Sequence, residues 1–208
     1  MSTENPSSAP AGTAARSNDG AARALVRVAV FAALIAVLSI LPGVPVGPVP
    51  ITLQTLGVLL CGMLLGPRLG TLAVLLYLLL LAIGLPVGSG MRGGLGLFVG
   101  PTGGFLIGFA VSALLVGLLS RPAVRGLAAG RIGPGRAAAG LAVAGVLGGM
   151  VPSYALGVPV LQLVTGLPWP QALVSGMVLF LPGDLIKVAL AVLITIGVVR
   201  ALPNAFAR

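Results

Sequence analysis

Asp184 and Lys187 are the only charged residues in an apolar run from Trp169 to Val199, and Asp184 is the only acid after residue 19. A charged side chain at the middle of a bilayer costs about 2.5–3.5 kcal/mol on insertion scales, so ionisable residues there usually serve a task. On a helix the two positions are i,i+3 neighbours on one face. One turn of Leu181-Pro182-Gly183-Asp184-Leu185-Ile186-Lys187 then sets a carboxylate, which accepts hydrogen bonds, beside an ammonium, which donates them. Two uses are open: a self-neutralising pair that steadies the fold, or a polar ligand site inside a membrane protein.

Other polar residues stand where apolar runs begin or end. Thr52, Gln54 and Thr55 open one run, Thr102 opens another, and Arg92 lies in the loop 86–101. Gln54 could simply bond at a helix start, Thr102 reads as an N-terminal cap, and Arg92 could be an interfacial anchor. Together they supply one acid facing two bases in a small, mostly apolar chamber. Such a chamber suits a ligand with an apolar middle, a carboxylate at one end and hydrogen-bond donors at the other.

Several chemistries are excluded. Gly88-Ser89-Gly90-Met91-Arg92-Gly93 matches G-x-G-x-x-G by spacing, but no strand precedes it and no βαβ unit surrounds it. The sole lysine is Lys187, so no phosphate-binding G-x-x-x-x-G-K-[ST] loop exists. With no histidine, no acid pair and no serine–base arrangement, an enzyme is not expected. No cofactor or metal is expected either. Cys61 is the one cysteine and sits mid-run, where it reads as a small packing residue.

The elements that must position these residues are membrane helices. Of the 208 residues, 58% are hydrophobic and 7% charged, and the mean hydropathy is +1.17. Soluble domains carry about 25% charged residues, so this chain could not cover a water-facing surface. The runs are uninterrupted rather than alternating, which favours helices over a barrel. The net charge of +9 is spread between runs and aromatics are only 4%, so no nucleic-acid surface is expected.

Residues 1–20 are polar and rich in Ser, Pro and Ala, which predicts a disordered tail. Residues 21–208 form the membrane domain. No small-x-small cleavage site is evident, so the first apolar run reads as a retained span rather than a signal peptide. Spans are expected near 24–41, 52–65, 69–85, 102–119, 136–163 and 169–199. Kinks or breaks are expected at Pro152, Pro159 and Pro182-Gly183. Loops 42–50 and 164–168 lack Lys and Arg, whereas Arg68, Arg121, Arg125, Arg131 and Arg136 lie in the alternate loops. Six transmembrane helices with both termini cytoplasmic satisfy the positive-inside rule, with Arg92 the exception. Small residues at Gly62/Gly66, Gly100/Gly104, Gly104/Gly108, Ala29/Ala33 and Ala32/Ala36 let helices approach closely. The alanine stripe could serve inside the bundle or dock a separate subunit.

Val49-Pro50-Ile51-Thr52-Leu53-Gln54-Thr55-Leu56-Gly57, Leu65-Gly66-Pro67-Arg68-Leu69-Gly70, Gly100-Pro101-Thr102-Gly103-Gly104-Phe105 and Pro182-Gly183-Asp184-Leu185-Ile186-Lys187 together resemble the BioY family, the biotin-binding S components of energy-coupling-factor transporters. The resemblance covers about residues 24–200. It implies a six-helix, multi-pass protein of the cytoplasmic membrane that captures biotin from outside. It also implies a transmembrane coupling subunit and two ABC-type ATPases as partners. By the same resemblance Asp184 and Lys187 contact the ligand, with Thr52 and Gln54 as weaker carry-overs. Ala29, Ala32, Ala33 and Ala36 resemble the face that docks the coupling subunit. The chemistry agrees: a carboxylate can accept the two ureido N–H groups of biotin, and Lys187 with Arg92 suits its valerate carboxylate. The Val87-Gly88-Ser89-Gly90-Met91 stretch departs from the family, where a bulkier residue follows the Pro-Val pair.

Two rival readings stand beside this one. In the first, the small-residue stripes are the function and the chain is a membrane scaffold with a structural Asp184–Lys187 pair. In the second, the ligand is another vitamin, such as thiamine or riboflavin. Thiamine is cationic and flat and would favour more acids and aromatics than this chain supplies.

Overall fold

The computed structural model describes residues 12–44 and 47–206. Among these, regular structure is helical; the one β-type contact is an isolated bridge between Val44 and Ile51. Two backbone hydrogen bonds of 2.9 Å make that bridge. The helices are α1 (Gly12–Ile40), α2 (Gln54–Leu60), α3 (Gly66–Ala82), α4 (Gly96–Val99), α5 (Gly103–Ala128), α6 (Pro134–Val143), α7 (Val151–Thr165), α8 (Trp169–Leu173) and α9 (Leu181–Ala201). Helix α1 begins at Gly12, so the polar tail expected to be disordered contributes residues 12–20 to a helix. Residues 1–11 of that tail lie outside the described residues.

Three wide, π-helical turns extend or join these helices, at Cys61–Leu65, Ala144–Met150 and Val174–Val178. Each ends just before a proline: Pro67, Pro152 and Pro182. Proline lacks an N–H and its ring crowds the carbonyl four residues earlier, so the turn ahead of it widens. The expected breaks at Pro152 and Pro182 therefore appear one to two turns upstream. Pro159 sits inside α7 without ending it.

Among the described residues, five helical stretches are long and apolar enough to cross a membrane: Gly20–Ile40, Gln54–Ala82, Gly103–Ala128, Pro134–Thr165 and Trp169–Ala201. The stretch Gln54–Ala82 takes in two of the six expected spans. As a straight helix it would hold Gln54 and Tyr77 about 34 Å apart at 1.5 Å per residue. Their side chains are instead hydrogen-bonded at 2.8 Å. The chain doubles back at Gly66, whose φ of +75° a side chain rarely adopts. Just past the turn, Gly70 lies directly against the Cys61 carbonyl, where a Cβ has no room.

Helix α5 is the hub, packing against α3, α6 and α7. It continues to Ala128, two turns past the boundary expected at Leu119, with Pro122 inside it. The extension is held by burial: Ala123 and Val124 are covered, and Ala123 lies against Gly140 of α6. Outward-facing side chains are apolar, with Leu79 57%, Leu193 66% and Leu163 76% exposed. A water-soluble monomer rarely shows so continuous an apolar surface, whereas lipid favours it.

Candidate functional site

Asp184 lies in the first turn of α9, with its backbone N–H bonded to the Phe180 carbonyl at 2.9 Å. A carboxylate is favoured there by the positive end of the helix dipole. One turn on, Lys187 Nζ is 2.9 Å from Asp184 Oδ1, and the two side chains are only 5% and 10% exposed, respectively. Burying two charges costs several kcal/mol per ion unless geometry and further hydrogen bonds offset it. Those bonds are present. Lys187 donates to Thr55 Oγ1 at 3.0 Å, and the Tyr154 hydroxyl donates to Asp184 Oδ2 at 2.6 Å. Thr55 Oγ1 is also 3.4 Å from Oδ1. Both carboxylate oxygens are thus held in place: Oδ1 accepts from Lys187 and Thr55, and Oδ2, accepting from Tyr154 alone, keeps a lone pair for a ligand.

The pair forms one wall of a partly open cavity, about 560 Å³ with the open space at its mouth included. Thr52, Gln54 and Thr55 bring the start of α2 to it, and Thr102 with Phe105 the start of α5. Three of the six phenylalanines, Phe105, Phe109 and Phe180, line it. Phe105 and Phe180 stack with centroids 6.3 Å apart and planes 16° from parallel. The cavity therefore has an aromatic flank and a charged end, neutral as a pair.

The expected residues do not all converge. Asp184, Lys187, Gln54 and Thr52 line the cavity together. Gln54 does not bond at its helix start; its amide donates to Tyr77, whose hydroxyl lies 3.2 Å from Ser39 Oγ and 3.3 Å from the Val87 carbonyl. The Thr102 hydroxyl makes no cap and returns to the Leu97 carbonyl at 3.2 Å. Arg92 is exposed, donates through Nε to the Ser89 carbonyl at 3.2 Å, and lines a neighbouring cavity of about 320 Å³. Gln54, Ser89 and Thr102 are walls of both cavities. The alanine stripe divides: Ala32 and Ala36 are buried, while Ala29 and Ala33 face outward.

Tyr154 is the residue the sequence reading passed over. A phenol in an apolar helix needs a partner for its hydroxyl, and this chain has only two tyrosines. Both prove to serve polar clusters at this end of the molecule.

Known proteins resemble this chain along most of its length. The chain is 44% identical over 188 residues to a "Biotin transporter BioY" of Rhizobium etli, spanning 89% of this chain and 98% of that one. It is 44% identical over 195 residues to a protein of the same name from Rhodobacter capsulatus, spanning 88% and 96%. A crystal structure of the S-component for biotin from an ECF-type ABC transporter superposes with a TM-score of 0.77 at 34% identity, covering 88% of this chain and 94% of that one. Residues 8–204 match the family as a whole, and with the four motifs above lying in one connected site and hairpin, the chain belongs to the BioY family.

Proposed function

We propose that this protein captures biotin for uptake, as the substrate-specific S component of an ECF-type transporter. One observation carries the reading: a buried carboxylate and ammonium, fixed by Thr55 and Tyr154, form the polar end of an aromatic-flanked cavity. Biotin's ureido group offers N–H donors and a carbonyl acceptor side by side. Asp184 accepts from an N–H group through Oδ2, the oxygen with a lone pair to spare. Lys187, touching Asp184, is better placed for the ureido carbonyl than for the distant carboxylate, because adjacent charges cannot address opposite ends of one extended ligand. The valerate carboxylate then extends past Gln54 and Ser89 toward Arg92, the one free cation on that side among the described residues.

The membrane arrangement follows from the hairpin. Counting the two arms of Gln54–Ala82 separately gives six spans, with both termini and most arginines on the cytoplasmic side. The partners are a transmembrane coupling subunit and two ABC-type ATPases in the cytoplasmic membrane, with Ala29 and Ala33 the outward small-residue pair available for close helix contact. Binding and transport, not catalysis, are the task.

Purified protein should bind labelled biotin saturably, with competition by unlabelled biotin and none by thiamine or riboflavin. Asp184→Asn should weaken biotin and its bicyclic ureido fragment alike; unchanged affinity for both removes Asp184 from the site. Wild type should prefer biotin over biotin amide, and Arg92→Gln should abolish that preference. A preference that survives puts the carboxylate elsewhere.

A further inference from the structure

A second polar cavity, open at its mouth and about 620 Å³ with that open space included, lies at the other end of the molecule. Its walls are α1 through Arg27, the hairpin turn at Gly66, and α5 through Ser120, Arg121 and Arg125, with Phe206 at the rim. The backbone of Gly117 in α5 touches Pro67, so the turn and α5 form a tight floor. Arg121 and Arg125 are i,i+4 on one face of α5, a like-charge spacing that is unfavourable by itself. Arg27 adds a third guanidinium from another helix. Among the described residues the only ion pair is Asp184–Lys187, so none of the three is matched by a carboxylate among those residues. Ser120 is 1% exposed, and its side chain lies in the cavity wall.

Depth along the membrane identifies what should fill such a basin. Phe105, in the wall of the first cavity, and Arg125 are both on α5. Their spacing corresponds to about 30 Å of helix, which is also about the thickness of the hydrocarbon core. With one cavity at one interface, the arginine basin therefore falls at headgroup level on the opposite side. Arginine's planar fork matches phosphate oxygens bidentately, and basic pockets between membrane helices suit anionic headgroups. We propose that Arg27, Arg121, Arg125 and Ser120 bind the phosphate of an anionic phospholipid headgroup. The site is separate from the biotin cavity, and its test does not depend on biotin.

Native mass spectrometry of the detergent-solubilised protein, titrated with phosphatidylglycerol or phosphatidylcholine, reads the site directly. Phosphatidylglycerol should be retained preferentially, with about fivefold weaker retention for each arginine removed in Arg27→Gln, Arg121→Gln and Arg125→Gln. Arg131→Gln and Arg136→Gln, each of which loses the same single charge outside the basin, should retain it like wild type. Equal losses in both sets would show general charge attraction and overturn the proposal. Displacement of the lipid by inorganic phosphate at comparable concentration would assign the site to soluble phosphate and overturn the lipid source. No retention at all would also overturn it and leave the basin to an acidic protein surface. Unchanged biotin binding in the arginine variants would show that they remain folded.

Discussion

At the scale of single residues, the Asp184–Lys187 pair is a buried ion pair whose worth depends on its company. Removing one member strands the other, at a cost of about 3–5 kcal/mol, whereas replacing both with neutral side chains of similar volume is often tolerated. Asp184→Asn and Lys187→Met should therefore each lower the melting temperature in detergent, and the double variant should melt above either single one. None of the three should bind biotin as wild type does. A double variant less stable than both singles would show that the pair is a net structural support. Tyr154→Phe tests the orienting bond alone. It leaves Asp184 Oδ2 without its donor, a loss of about 1–3 kcal/mol. Biotin affinity should fall about tenfold by isothermal titration with little change in insertion. Wild-type affinity would mean that Thr55 and Lys187 hold the carboxylate without help.

At the scale of elements, glycine decides how closely helices meet, and the cavity inherits that spacing. Gly157 of α7 lies against the ring of Phe105, where a Cβ cannot fit without moving the ring. That ring stacks on Phe180 and lines the cavity. Gly157→Ala should therefore narrow the site: affinity for biotin should drop more than about tenfold while the melting temperature shifts by a few degrees, since overpacking costs about 1–3 kcal/mol. An unchanged isotherm would place Phe105 outside the ligand's path. The wide turns before Pro67, Pro152 and Pro182 belong to this scale too. The prolines were legible in the chain, but where the backbone would absorb them was not. A missing N–H leaves its defect on the preceding turns, and neighbouring helices choose which turn yields.

At the scale of the whole molecule, charge sorts the two ends. The lone buried pair and Arg92 stand at one end, and Arg27, Arg121 and Arg125 at the other. Cys61 is buried and should not react, so single added thiols can report sidedness in intact cells. Ser89→Cys should label with a membrane-impermeant maleimide and be protected by biotin. Arg131→Cys should label only after the membrane is permeabilised. The reverse pattern would invert the orientation proposed above, and labelling of both from outside would exclude six spans.

The amino-acid sequence alone determined that this is an all-helical membrane protein, because its apolar runs are too long and its charges too few for any water-facing fold. It also singled out Asp184 and Lys187, since an ionised pair in an apolar run stands out without any coordinates. What lay beyond it was set by contacts between residues far apart in the chain. The doubling back at Gly66 depends on α5 and α1 receiving both arms. The third partner of the carboxylate, Tyr154, sits 30 residues away, and Arg92 lines a neighbouring cavity that shares Gln54, Ser89 and Thr102 with the first. Local spacing ranks which side chains are costly to bury; only packing between helices says which of them share a burial site.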